Sequence, residues 1–313
     1  MNYTLLLLLA IFPTLVLITY IYYKDSHDKE PVGLLIQLFL LGVGSIIPAI
    51  MVETVGELIV NIFFYADSLI YNFVYSFFVI ALAEEGFKLL FTYIRTWNCK
   101  DFNHKFDGIV YAMLVSLGFA TLENILYVFQ GGFHTAIMRA LLSVPSHAID
   151  AVFMGYYYGL AKYDESAGKT ASKNTHLILS FIIPVLLHGF YDFCLFHSTL
   201  LTIILFFIFV IIMDIAAIVR INISSKQDQI IYQRMYQAYP QYFTQAPQQQ
   251  YYNYYKANSN PNPYSNNTPY NYGFGPNWKN QPPVYYFPCI KCGNVCNSFI
   301  FYCPRCGNPL RRF

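Results

Sequence analysis

Ala81-Leu82-Ala83-Glu84-Glu85-Gly86-Phe87-Lys88 sets two adjacent carboxylates and a lysine inside an apolar run, 69–93, that is long enough to cross a bilayer. A charge at membrane depth costs a few kcal/mol or more, so such residues need partners and a task. On a helix Lys88 follows Glu84 by four positions and Glu85 by three, so it can pair with both. The two glutamates point about 100° apart, which leaves them free to hold different jobs.

Other apolar runs carry the same kind of intruder. Phe119-Ala120-Thr121-Leu122-Glu123 places Glu123 one turn after Phe119, and Pro145-Ser146-His147-Ala148-Ile149-Asp150 separates His147 from Asp150 by three positions. His188-Gly189-Phe190-Tyr191-Asp192 puts His188 and Asp192 on one helical face. Asp214 stands in a further run, which we expect to hold it near the cytoplasmic surface. Taken singly, each is compatible with a hydrogen bond between helices. Jointly, four helices each presenting an acid or a histidine are expected to converge on one interior cavity, because charges facing lipid are disfavoured. Such a cluster can activate water for hydrolysis or relay protons or cations. A catalytically inert membrane scaffold is the third reading.

The elements that must position these residues follow from composition. Of 313 residues, 56% are hydrophobic, 19% aromatic and 12% charged, with a mean hydropathy of +0.39, which excludes both an ordinary soluble domain and a disordered chain. The 19 Lys and Arg are scattered, so no basic field for nucleic acid is expected. Seven spans are expected, at 3–23, 32–52, 69–93, 108–129, 141–160, 176–196 and 200–219. The first lacks a basic leader and a small-residue cleavage site, so it reads as a retained helix. Lys24 and Lys29, then Arg95, Lys100 and Lys105, then Lys162, Lys169 and Lys173 follow spans one, three and five. Only Arg139 follows the even ones, which predicts an outside N-terminus and a cytoplasmic C-terminus. Counting from the cytoplasmic side puts His188 and Glu123 about 18–24 Å deep but Glu85 only about 10–15 Å, a mismatch that tilt or a shifted span boundary would close.

Beyond the spans the composition turns to Tyr, Gln, Asn and Pro, which reads as a disordered linker. Cys289-Ile290-Lys291-Cys292-Gly293 and Cys303-Pro304-Arg305-Cys306-Gly307 then have the spacing of a four-cysteine zinc ribbon, with Cys296 a bystander. Four thiolates leave no open position on the ion, so a structural zinc and a docking role for a cytoplasmic protein are expected there, not chemistry. The expected architecture is an all-α polytopic membrane protein of about seven transmembrane helices, a disordered linker and a small zinc ribbon. Its domains are 1–222, 223–286 and 287–313.

Glu84-Glu85-x-x-Lys88, Phe119-x-x-x-Glu123 and His188-x-x-x-Asp192, in that order and each in a span, resemble the motifs of the PrsW intramembrane proteases. The segment around His147 is similar to that family's intervening histidine region, and the resemblance covers about 32–219. It implies kinship with the CAAX prenyl endopeptidases, whose second motif has His where this chain has Glu123. It also implies an endopeptidase acting on membrane-protein substrates within the bilayer, in the setting of regulated proteolysis. By that resemblance Glu84 and Glu123 flank the attacking water, and Glu85 with Lys88 orients the first carboxylate. His188, fixed by Asp192, polarises the carbonyl or, with Glu123 or other carboxylates, ligates a divalent metal, plausibly zinc. The chain has no HExxH, so metal-dependent and glutamate-only hydrolysis both stay open.

Overall fold

A computed structural model describes residues 3–25, 29–238, 286–288 and 295–297, of which 231–238 and the last two segments are described by backbone alone. Residues up to Gln229 pack as one unit. Its helices are α1 (Tyr3–Lys24), α2 (Val32–Phe63), α3 (Leu69–Val74), α4 (Leu82–Thr96), α5 (Lys105–Met138), α6 (Val144–Ser166), α7 (Thr170–His197) and α8 (Leu200–Ala238). Two π-helical segments interrupt the α geometry, Tyr75–Ala81 between α3 and α4 and Arg139–Ser143 between α5 and α6.

The helix starts have local causes. Ser68 caps α3 by accepting the Tyr71 N–H at 3.1 Å. Asp107 reaches back to the His104 N–H at 2.6 Å, which closes the first turn of α5.

Among the described residues, five helical runs are long and apolar enough to cross a membrane: Tyr3–Lys24, Val32–Phe63, Lys105–Ser166, Thr170–His197 and Leu200–Ile230. Two differences from the expected seven spans have physical causes. The expected fourth and fifth spans lie in the single 62-residue run Lys105–Ser166, which breaks at Gly132, where φ is 73°. Only glycine adopts that conformation without strain. The expected third span, 69–93, is the one diluted by Glu84, Glu85 and Lys88. Further, α2 continues to Phe63, past the expected end at 52, and α8 continues to Ala238, past the expected domain boundary at 222.

The core is built round α5 and α6. Ile109, Val110, Met113, Leu117, Val152 and Met154 are all buried in it. Bare backbone lets these helices meet: a side chain at Gly108 would strike the Gly155 carbonyl, and one at Gly42 of α2 would strike that of Val115 in α5. Most of α1, α2 and α8 is instead exposed and apolar, as lipid-facing helices require.

Two short strands, β1 (Tyr286–Pro288) and β2 (Val295–Asn297), belong to a second unit and pair antiparallel, Phe287 opposite Cys296. Of the expected linker, 223–286, the part up to Ala238 is helical, while 239–285 and the metal ligands Cys289, Cys292, Cys303 and Cys306 lie outside the described residues.

Candidate active site

Glu84, Glu85 and Lys88 fall on the first turns of α4, and their helical spacing brings both carboxylates to one ammonium. Lys88 Nζ donates to Glu84 Oε2 at 2.9 Å and to Glu85 Oε1 at 2.7 Å, with Glu85 and Lys88 fully buried. A fixed positive charge among carboxylates offsets the cost of burying them. Phe119 of α5 covers the ammonium, its ring centroid 4.2 Å away.

His147 of α6 joins this group from across the core. Its Nδ1 lies 3.1 Å from Lys88 Nζ and its Nε2 lies 2.8 Å from Glu123 Oε2. An ammonium only donates and a carboxylate only accepts, so the ring carries its proton on Nε2 and turns the Nδ1 lone pair toward the cluster. Arg139 holds Glu123 from the other side, with Nη2 at 2.6 Å from Glu123 Oε2 and Nε at 2.9 Å from Asn124 Oδ1.

His188 of α7 completes the cluster. Its Nδ1 lies 2.9 Å from Glu85 Oε1, while Nε2 faces Asp192 Oδ2 at 3.4 Å and Glu84 Oε2 at 3.9 Å. Acceptors on both edges of one imidazole call for positive charge at that point. Asp150 of α6 stands behind the ring, Oδ2 at 3.7 Å from Nδ1. Among the described residues, Asp150 Oδ2 and Glu85 Oε2 are buried side-chain oxygens with no hydrogen-bond partner.

The geometry gathers the seven residues that the sequence put forward for the site, Glu84, Glu85, Lys88, Glu123, His147, His188 and Asp192, with Asp150 beside them. It also closes the depth mismatch, since His188 touches Glu85. One ligand atom from each of Glu84, Glu85, His147 and His188 lies within 4.8 Å of the others, and all four residues are buried. Glu123 stands outside that set, engaged by His147 and Arg139. The donor set, two imidazoles and two carboxylates, is of the kind that holds a divalent ion such as zinc, and an ion there would take over the positive charge at His188 and the His147 lone pair that now faces Lys88.

Sequence reasoning gave Arg139 and Glu53 no place in the site, and marked Asp150 beside His147 without giving it a role. Arg139 read as a loop charge, and Glu53 fell one position past the expected end of its span. With α2 extended, Glu53 is half-buried and interacts electrostatically with Glu84 and Glu123. The signal that could have found Arg139 is its position just before the histidine segment, on the same helical run as Glu123. Both π segments also lie just upstream of site residues, Tyr75–Ala81 before Glu84 and Arg139–Ser143 before His147. Such segments recur at functional sites because they re-aim the turn that follows.

The chain is similar to known proteins over the region that holds the cluster. The model of the PrsW family intramembrane metalloproteases matches residues 30–216. Protease PrsW of Oceanobacillus iheyensis is 40% identical over 196 residues, covering 63% of this chain and 85% of that protein. Protease PrsW of Bacillus subtilis is 41% identical over 186 residues, 59% of this chain and 80% of the relative, and that of Clostridioides difficile 37% over 212 residues, 66% and 86%. No solved structure matches. The matched span holds the whole buried cluster, and the chain belongs to the PrsW family of intramembrane metalloproteases.

Proposed function

We propose that this intramembrane protease cuts membrane-protein substrates at the Glu84–Glu85–His147–His188 cluster, where Glu85, His147 and His188 would hold a catalytic divalent metal, zinc by the character of the donors, with one position left open for water and Glu84 left free as the base. The observation that carries the reading is the convergence of their ligand atoms within 4.8 Å in a buried site. A metal bound there would supply Lewis-acid polarisation of the scissile carbonyl and the attacking water. Glu84, whose one close hydrogen bond is to Lys88, takes a proton from that water and returns it to the leaving amine. Lys88 keeps both α4 carboxylates in place and neutralises them. Glu123, held by Arg139, fixes the His147 ring so that Nδ1 faces inward, and Asp192 steadies His188 in the same way. Family membership favours this reading over transport or an inert scaffold.

The test is cleavage of a labelled transmembrane peptide by the purified chain in liposomes, with and without a chelator. Loss of cleavage on chelation and its recovery with zinc are expected. Cleavage that persists in a chelated, metal-free chain would instead support hydrolysis by the glutamates alone.

The same proposal covers the topology and the tail. A straight 62-residue helix would be about 93 Å long, three times a hydrocarbon core of about 30 Å. The contact of Gly108 with Gly155 supports reading it as two spans. With the helical run 69–96 this makes seven spans, the N-terminus outside and the C-terminus cytoplasmic, as the Lys and Arg pattern implies. For Cys289, Cys292, Cys303 and Cys306 as a structural zinc ribbon, the support is their spacing and the antiparallel pairing of β1 with β2 on either side of the first CxxC. A docked cytoplasmic protein and a place in regulated proteolysis fit such a module.

A further inference from the structure

The hydrogen bonds around Glu123 do not end at Arg139. Asn124, the next residue on α5, is fully buried and uses both halves of its amide. Its Oδ1 accepts from Arg139 Nε at 2.9 Å, and its Nδ2 donates to the Ala10 carbonyl of α1 at 2.7 Å. A guanidinium only donates and a carbonyl only accepts, so these two neighbours dictate which way the amide faces. A carboxylate of the same shape would lack the donor, and an apolar side chain would lack both groups. The α1 partner is itself held in place. Leu6 and Ala10 pack with Val128 and Ala136 of α5, which lie on either side of the break at Gly132. One turn further along α1, Thr14 Oγ1 meets Thr121 Oγ1 at 3.1 Å. Helix α1 thus spans the place where the helical run turns back and brings Arg139 onto Glu123. It precedes residues 30–216, which the family model matches.

From the Ala10 carbonyl an unbroken series of contacts runs through Asn124, Arg139 and Glu123 to His147, with no step longer than 2.9 Å. We propose that Asn124 is a positioning residue of the protease site: anchored on α1, it aims Arg139 at Glu123 and thereby sets the His147 ring. Its effect on turnover rests on the protease reading, whereas its hold on Arg139 does not.

Two readouts on the full chain in lipid nanodiscs separate these effects. One is the kinetics of cleavage of a labelled transmembrane peptide. The other is modification of Arg139 by phenylglyoxal, read by mass spectrometry against Arg220, which stacks on Tyr156 and serves as internal reference. In Asn124→Ala, Arg139 should be modified several-fold faster. Its kcat should fall about 10-fold with KM unchanged, the lower end of what losing an outer partner of a metal ligand costs. Adding Arg139→Met to Asn124→Ala should give a chain no slower than Arg139→Met alone, because both changes act through one contact. Thr14→Ala, which loosens the same α1–α5 interface, should lower the thermal midpoint and leave kcat and Arg139 protection at parental values. Losses in kcat that multiply, or Arg139 modified at the parental rate in Asn124→Ala, would overturn the proposal. So would a Thr14→Ala chain that matches Asn124→Ala in both readouts. If Asn124→Ala fails to accumulate, Asn124→Asp decides the matter. It keeps the acceptor for Arg139, and its two oxygens are alike, so no orientation has to be selected. Arg139 should stay protected there while the thermal midpoint falls, and rapid modification would overturn the proposal. A parental chain that cuts no peptide, yet whose Arg139 protection depends on Asn124, would overturn the protease reading and leave the hold on Arg139 standing.

Discussion

Two groups of histidine and carboxylate sit at opposite extremes in this molecule. At the turn between α6 and α7, Asp164 accepts from Ser172 Oγ and lies 2.8 Å from His176 Nδ1, all within twelve residues of sequence. Every partner is local, and the group closes a turn in which Gly168 takes a φ of 72°. The α4 group instead collects His147 from 59 residues away and His188 from 103. It also leaves Glu85 Oε2 and Asp150 Oδ2 without a hydrogen bond among the described residues, the latter 3.7 Å from His188 Nδ1. A cluster assembled for stability satisfies its own polar atoms. One that draws four helices together and still leaves buried oxygens open has been kept for something those oxygens do.

The contrast can be broken by substitution. The largest effect is expected at the α4 group, where Glu84→Gln removes the base and most of its volume stays. Cleavage should fall about 10²–10⁴-fold at equal membrane abundance, and His188→Ala should be as severe. Equal activity in either variant would place the chemistry elsewhere. Lys88→Met strands two buried carboxylates, so a loss of about 3–5 kcal/mol of stability is expected, read as lowered abundance and thermal midpoint. Arg139→Met keeps most of the stem but frees Glu123, and through it His147. A drop of roughly 10–100-fold in activity or metal affinity is expected, with partial recovery in Arg139→Lys. At the turn, His176→Ala should cost about 1 kcal/mol of stability and leave the cleavage rate unchanged. A catalytic defect there would erase the distinction between the two groups.

Much of the site could be read from residue types alone. Glu84, Glu85, Lys88, Glu123, His147, His188 and Asp192 stand out because ionisable groups are rare in runs of such apolarity. The ring that Glu123 would engage is another matter. Spacing along α5 does not reveal that Arg139 will fold back on it, because that depends on the break at Gly132 and the π segment after it. Hydropathy ends α2 near 52, since Glu53 and Glu57 lower it, yet α2 runs on to Phe63 and brings Glu53 toward the cluster. The close crossing of α5 on α6 had a legible trace in Gly155-x-x-x-Gly159, the small-residue spacing that lets membrane helices touch. Asp214 lines a cavity with Asp150, a long-range relation that no local pattern carries.

The central claim is that the α4 group binds the metal on which cleavage depends. The most direct test is the metal content per chain, by mass spectrometry, of a protein in which Cys289, Cys292, Cys303 and Cys306 are all changed to Ser so that the tail holds no zinc. That protein is expected to retain one divalent ion and to cleave a transmembrane peptide, and His147→Ala with His188→Ala in the same background should lose both together. A metal that survives the loss of both histidines, or a metal-free chain that still cleaves, would contradict the account.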